Sequence, residues 1–423
     1  MPPSSSLSKT RWIQLVLGLV IMMAISSPQY VWTLFTKPFQ TVTGGSLAQI
    51  QFTFSLLIVL QTFFSPAQGW LIERFGPKLL IGTGAVLSGL GWVLSSYATS
   101  LFMLYATYGL FCGIGTGIVY VGIVGLMVRW FPDRRGFAAG VVAAGYGFGA
   151  FLTTFPIDTM MKASGPSHTL VVFGCILGLI GFAASMFLRA PEAAEVGLLP
   201  RPALAATGAG YTPREMLRTP LFWLLFVMMT MMSTGGLMVT SQFAAFAREF
   251  GVADAVVLGG AALPLALTFD RVTNGLTRPF FGWVSDRIGR ENTMALAFGL
   301  EACAVALLLY FRKDPMLFVL LSGVVFFGWG EIFSLFPSTL TDSFGTRHAT
   351  TNYGFLYMAQ GVGSLLGGPA AAALHDATGS WLPIFGIAIA FDVIVALIAV
   401  TFLKTMRRGY SARDAGLVAV PAE

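Results

Sequence analysis

Long apolar runs broken by short polar interruptions dominate this chain. A membrane-spanning helix takes roughly 20 mostly apolar residues. Segments of that order read at about residues 12–36, 47–72, 79–98, 101–131, 137–161, 169–188, 221–247, 257–284, 292–311, 316–340, 350–374 and 381–403. The pattern predicts an all-α membrane protein of twelve transmembrane helices, six in each half. Helices buried on every side lose their amphipathic signal, so periodicity marks their existence better than their ends. The remaining polar stretches set the organisation: a tail at 1–10, a first six-helix half over 11–188, a linker at 189–220, a second half over 221–404 and a tail at 405–423. The linker is rich in Pro, Ala and charge, and residues 1–10 and 409–423 read as disordered. The first run follows Lys9 and Arg11 as a secretion signal would. It continues for about 24 residues without a small-residue cleavage site, so it is read as the first helix.

The polar interruptions are not random. Gly69-Trp70-Leu71-Ile72-Glu73-Arg74-Phe75-Gly76 recurs half a chain later as Gly282-Trp283-Val284-Ser285-Asp286-Arg287-Ile288-Gly289. Each copy ends one apolar run and precedes another, so each is a tight charged loop between two membrane helices. Gly69, Gly76, Gly282 and Gly289 let helices approach, and the acids Glu73 and Asp286 with Arg74 and Arg287 supply acid-base pairs to staple them. The two halves are therefore read as pseudo-symmetric copies. The pattern resembles the signature loop of the major facilitator superfamily, which implies that fold, with the halves rocking about a central cleft to give alternating access.

Composition agrees: 56% hydrophobic residues, 10% charged and a mean hydropathy of +0.77 exclude a water-soluble globule. The 25 Lys and Arg are unevenly placed. With the N-terminus inside, only Lys37, Lys162, Arg248, Arg312 and Lys313 fall in external loops, Arg271 and Arg278 lie within a helix, and all others are cytoplasmic. Both termini are thus expected on the cytoplasmic side, in the inner (plasma) membrane, and the pI of 9.3 reflects topology rather than a nucleic-acid partner.

Little else in the sequence suggests chemistry. Cys112, Cys175 and Cys303 sit in apolar segments and read as small core residues. His168, His348 and His375 are scattered without metal-ligand spacing, so no metal is expected. Gly113, Gly115 and Gly117, like Gly145, Gly147 and Gly149, mimic nucleotide-loop spacing inside apolar helices, where close helix packing explains them. No paired carboxylates and no nucleophile with a base suggest an enzyme, and no cofactor is expected.

Aligning the halves through the repeated loop sets Ser65 against Arg278, so the duplicated scaffold carries this charge on one side only. An intramembrane Arg costs at least about 2.5 kcal/mol and persists where it faces a polar cavity or a partner. Arg271, Asn274 and Arg278 are spaced i, i+3, i+7 on one helical face, with Asp270 one turn from Asn274. One reading is that Arg278 binds an anionic substrate with its planar fork of donors. The other is an Arg that pairs with Asp270 or with another helix to hold the bundle.

Further runs carry a more specific resemblance: Pro28-Gln29-Tyr30-Val31-Trp32-Thr33-Leu34, Gly117-Ile118-Val119-Tyr120, Arg129-Trp130-Phe131-Pro132-Asp133-Arg134-Arg135-Gly136, Ala144-Gly145-Tyr146-Gly147, Arg278-Pro279-Phe280-Phe281-Gly282 and Asn352-Tyr353-Gly354-Phe355. Together they look like the oxalate/formate antiporter family, over about residues 11–404. That resemblance implies an aromatic-lined cavity in which cationic residues bind small carboxylates. It points to Gln29, Tyr30, Tyr120 and Tyr146 on one side, and to Arg278, Trp329 and Tyr357 on the other; Asn274, from its place on the Arg278 face, and Gln360 join the candidate substrate-binding residues.

Two departures matter. Gln360 stands where the best-known oxalate exchangers of that family carry a Lys, and Phe333 where that pocket presents a Tyr. A single Arg suits a monoanion better than a dianion, unless Arg271 replaces the missing charge. The intramembrane acids Asp270, Glu301 and Glu331 raise proton coupling, with Asp270 and Glu331 as the candidates. Proton-coupled monocarboxylate symporters are also similar, since they carry a helix 8 Arg with a polar residue four positions earlier, here Asn274. The expected partners are a small carboxylate, the lipid bilayer and protons, and the expected form is a monomer. A carboxylate-binding membrane sensor is the third reading.

Overall fold

A chain in lipid must satisfy its backbone N–H and C=O groups internally, and an apolar sequence of this kind does so by closing i to i−4 bonds in helices. The computed structural model describes residues 5–196, 198–199 and 210–414, and is helical almost throughout. Among the described residues nine helices are long and apolar enough to cross a membrane, or ten if the bent pair Leu47–Phe63 and Ser65–Phe75 is one span.

Several segments differ in detail from the reading of the sequence, each for a local reason. The first is not one rod but Ser5–Ala24, Ser27–Tyr30 and Trp32–Thr43. Pro28 lacks the N–H that a continuous helix would use at that point. The second bends by 50° at Phe64, where Pro66 follows, removing one N–H and crowding the carbonyl of the preceding turn, which favours a break there. Residues 257–261, expected in the eighth segment, belong instead to a hairpin of Val256–Val257 and Gly260–Ala261, and the helix starts only at Ala262. Leu258 and Gly259 turn that hairpin with positive φ values of 49° and 86°. The tenth segment breaks between Pro315–Trp329 and Ile332–Phe344. Residues 5–10 and 409–414, expected to be disordered, are helical, while 1–4 and 415–423 lie outside the described residues.

The described chain divides into two units. One comprises Met1–Pro132, Val141–Arg201 and His348–Met358; the other comprises Asp133–Gly140, Pro202–Arg347 and Ala359–Glu423. In the first, Trp32, Phe35, Phe39, Trp92 and Tyr108 form an aromatic core, with Trp32 and Tyr108 centroids 4.7 Å apart. The Tyr108 hydroxyl donates to Pro28 O at 2.8 Å, so it takes up a carbonyl at the broken first helix. In the second, Phe243, Phe246, Phe318 and Phe385 pack edge to face or tilted at 4.7–6.1 Å.

The start of the linker is tied to the first unit. Arg189 makes a two-pronged pair with Glu195 at 2.6 and 2.7 Å, its guanidinium lies over Trp130, and its carbonyl accepts from Trp130 Nε1 at 2.9 Å. Gln14 clamps the same turn, donating to Phe187 O and accepting from Arg189 N.

Candidate functional site

The two copies of the repeated loop behave alike. Glu73 accepts from Thr351 N at 2.9 Å and from the Thr351 hydroxyl at 2.7 Å, with His348 Nδ1 3.2 Å away. Asp286 accepts from Gly136 N at 3.0 Å and Phe137 N at 2.9 Å. Each acid thus sits at the first turn of a helix, Ala349–Leu365 or Arg135–Ser164, where N–H groups lack intrahelical partners and the dipole favours negative charge. The expected staples between neighbouring acid and base are therefore corrected. Arg74 lies over the Trp70 ring at 5.2 Å and Arg287 over the Trp283 ring at 3.9 Å, each stacked on the aromatic four residues earlier. Of the loop glycines, Gly282 packs on the Gly136 backbone and Gly69 on that of Thr350, whereas Gly76 and Gly289 meet no neighbouring helix among the described residues and instead take positive φ values of 89° and 93°.

Asp286 also accepts from Arg290 Nη1 at 2.6 Å. Burial pushes its carboxyl above the ordinary value, opposed chiefly by that guanidinium. Arg290 reaches on to Asp342 at 2.8 Å, which also takes Arg135 at 2.6 Å and lies 3.9 Å from Arg407. Arg407 pairs with Glu291 at 2.6 Å. Three arginines and three acids form one balanced network, in which Arg135, Arg290 and Asp342 are 2–3% exposed.

In the first unit the candidate tyrosines form a continuous set. Tyr30 and Tyr146 meet edge to face at 5.4 Å, Tyr146 and Tyr120 do the same at 5.4 Å, and Tyr120 stacks on Tyr357 at 4.9 Å and 11°. The Tyr146 hydroxyl donates to Gln29 Oε1 at 2.6 Å. Gln61 Nε2 donates to the Tyr357 hydroxyl at 3.0 Å. Ser65, the counterpart of Arg278 in the alignment of the halves, is fully buried and donates to Gly354 O at 2.7 Å.

In the second unit Arg278 is 2% exposed. Its Nη2 donates to Asn274 Oδ1 at 2.9 Å, one turn back on the same helix, and its guanidinium lies 4.5 Å over the Phe333 ring. Phe333 thus offers its π face where a Tyr would have offered a hydroxyl. Trp329 spends its indole N–H on Met232 O at 3.0 Å, leaving its ring face as its contribution. Gln360 is 7% exposed, with a buried side-chain oxygen. Arg271 is exposed and forms no ion pair among the described residues, and Asp270 is buried beside Ser322. The reading of Asp270 as the bundle-holding partner of Arg278 is not what the structure adopts; Asn274 takes that position.

The acids form the least expected feature. Glu331 is fully buried, Glu301 is 2% and Asp392 1% exposed, and the three lie within electrostatic reach of one another, with Arg278 beside Glu331. Gly328 packs directly on Glu301, bringing the helix that leads to Glu331 close. Both Glu331 oxygens and both Asp392 oxygens are buried without a hydrogen-bond partner. Asp392 escaped the sequence reading because it stands in the most apolar run, yet a lone acid in such a run is itself the signal.

Smaller expectations divide. Cys112 is buried, but Cys175 and Cys303 are exposed on the outer faces of their helices and are not core residues. Gly113, Gly115, Gly117, Gly145 and Gly149 lie in tight helix contacts, whereas Gly147 faces open space. His375 is 3.1 Å from Glu249 and is unrelated to His348.

Known proteins match over nearly the whole chain. A family profile described as the Major Facilitator Superfamily matches residues 15–269 and 271–417. The oxalate:formate antiporter of Oxalobacter formigenes is 34% identical over 406 residues, covering 96% of this chain and 94% of that one. Monocarboxylate transporter 13 of Bos taurus is 28% identical, covering 81% and 78%. Among solved structures, the proton:xylose symporter XylE bound to 6-bromo-6-deoxy-D-glucose superposes with a TM-score of 0.70 at 14% identity, over 94% of this chain and 96% of that one.

Proposed function

Because the chain belongs to the Major Facilitator Superfamily, we propose that it is a secondary active transporter that moves small carboxylates by alternating access, as an oxalate/formate-type antiporter. The topology that goes with this reading is twelve spans in two six-helix halves, both termini cytoplasmic, in the inner membrane. Arg278 carries the proposal: a permanent cation, 2% exposed within a membrane helix, held by Asn274 and resting on Phe333. Its planar fork of N–H donors matches a carboxylate bound through two parallel hydrogen bonds, with the Glu331 carboxyl within electrostatic reach. Asn274, Gln360 and the ring of Trp329 complete the set in that unit; Gln29, Tyr30, Tyr120, Tyr146 and Tyr357 offer amide and phenol donors in the other.

A second reading is favoured by Gln360, which leaves Arg278 without a second cation, and by the carboxyl groups of Glu331, Glu301 and Asp392. One cation matches a monoanion, and a buried acid that exchanges a proton would drive its entry as proton-linked monocarboxylate symport. Asp270 is the other acid in reach of this role.

Proteoliposomes separate the two. Vesicles loaded with formate and supplied with labelled oxalate report exchange; empty vesicles supplied with labelled lactate or formate under an imposed proton gradient report symport. Exchange that ignores the gradient supports the antiporter, and gradient-driven uptake with oxalate ignored supports the symporter. Neither flux exceeding protein-free vesicles overturns the transport of carboxylates.

A further inference from the structure

Two glutamines meet the tyrosine set, and the hydrogen bonds run in a defined sense. Gln61, 2% exposed, donates from Nε2 to the Tyr357 hydroxyl oxygen at 3.0 Å. Tyr146 donates its own hydroxyl to Gln29 Oε1 at 2.6 Å. A phenol whose oxygen is occupied by an amide N–H keeps its own O–H to donate elsewhere. An amide whose carbonyl is occupied by a phenol keeps its NH2 donors. Each bond spends one donor and one acceptor, and what remains is the Tyr357 O–H and the Gln29 amide N–H groups as donors suited to a carboxylate, with Gln61 Oε1 as an unused buried acceptor.

Gln61 has no reason of its own to be where it is. Its Oε1 is buried without a partner, a cost that an apolar side chain of the same volume would avoid. The Tyr357 ring is fixed by its stack on Tyr120 at 4.9 Å, so the hydroxyl keeps its place and only its hydrogen is left to be directed. We propose that Gln61 is a positioning residue for anion selectivity: it holds the Tyr357 hydroxyl as a donor without touching the substrate itself. Gln61 lies three residues before the bend at Phe64, in the helix Leu47–Phe63, so the device is built into the end of a straight helical segment.

The inference rests on the carboxylate reading above, and the test keeps the two apart. Oxalate and formate exchange is measured in proteoliposomes for Gln61→Met, Gln61→Glu, Tyr357→Phe, Arg278→Gln and the Gln61→Met/Tyr357→Phe pair. Gln61→Met is expected to raise KM about fivefold with the maximal rate nearly unchanged, the size of one hydrogen bond. Gln61→Glu, which only accepts, turns the Tyr357 hydrogen inward and raises KM further. In the Tyr357→Phe background Gln61→Met adds nothing further, because its effect passes through that hydroxyl. An equal loss in both backgrounds, or a fall in maximal rate at unchanged KM, overturns the positioning role. If Tyr357→Phe and Arg278→Gln raise KM and Gln61→Met does not, this inference fails and the carboxylate reading stands. If Arg278→Gln and Tyr357→Phe are also silent, the carboxylate reading fails with it. Should Gln61→Met not assemble, Gln61→Glu decides alone: a KM no higher than that of the unchanged protein overturns the proposal.

Discussion

The Arg278 guanidinium lies 4.5 Å from the centroid of the Phe333 ring, with both side chains withdrawn from solvent. A desolvated cation–π contact is worth about 2 kcal/mol. Phe333→Leu is therefore expected to raise KM for a carboxylate by roughly 30-fold, because the guanidinium loses its platform. Phe333→Tyr keeps the ring and is expected to stay within about threefold. Exchange kinetics in proteoliposomes check both; a silent Phe333→Leu would show that Arg278 needs no such support.

Trp329 makes the opposite case. Its N–H is committed to Met232 O at 3.0 Å, so Trp329→Phe removes a packing hydrogen bond and keeps an aromatic face. A stability loss of about 1 kcal/mol, read as a lower melting temperature of the purified protein, is expected with KM changed less than about twofold. A large KM effect at unchanged melting temperature would make the indole a substrate donor.

Asp342 holds two arginines that are themselves buried, Arg135 and Arg290. Asp342→Asn removes the counter-charge the two share, leaving Arg290 its pair with Asp286, and breaking a buried pair in this way costs about 3–5 kcal/mol. The expected result is a protein that melts well below the unchanged one. Asp342→Asn combined with Arg135→Gln is expected to recover part of the loss, since one stranded charge is gone.

The Arg189–Glu195 pair is the surface contrast. Hydrogen bonds from Arg189 hold the Glu195 carboxyl at about 2, against an ordinary 4.5. A depressed value means that the stabilisation is present above 4.5 and is lost only as the pH falls through about 2. Since Arg189 is 40% exposed, solvent screens the pair and its net contribution to folding stability is well below what the depressed value alone would suggest. Carbon-detected NMR of labelled Glu195 should show no titration at pH 4; a midpoint near 4.5 would mean the linker is not anchored there.

Glu331, Glu301 and Asp392 supply the test of coupling. Three charges of one sign out of water repel strongly, so protons or a cation must balance them. Glu331→Gln is expected to leave exchange intact and to abolish any acceleration of uptake by an inward proton gradient. Uptake that keeps its gradient dependence in Glu331→Gln, Glu301→Gln and Asp392→Asn alike would remove this cluster from the cycle.

Much of this was legible in the chain. Apolar runs of spanning length announce the helices, and the repeat at Gly69 and Gly282 announces the duplication. Arg278, the odd charge in a duplicated scaffold, marks the site proposed above. Side-chain geometry was not legible. Nothing in the spacing says that Arg74 and Arg287 stack on tryptophans while Glu73 and Asp286 serve helix ends, because helix-end partners are distant in sequence. The bend at Phe64 and the hairpin at 256–261 were hidden because apolar residues suit a strand, a kink or a helix equally well, and only Pro66 and Gly259 mark the difference. Gln61 drew no notice as a site residue, since a glutamine in an apolar helix gains its meaning only from the phenol it meets.

The account turns on Arg278 as the anchor for a carboxylate. Equilibrium binding of labelled oxalate and formate to the purified protein and to Arg278→Gln measures this without the transport cycle. Loss of a charged, buried contact of about 3 kcal/mol predicts affinity weaker by on the order of 100-fold in the variant, at an unchanged melting temperature without ligand. Equal affinity in the two proteins would contradict it.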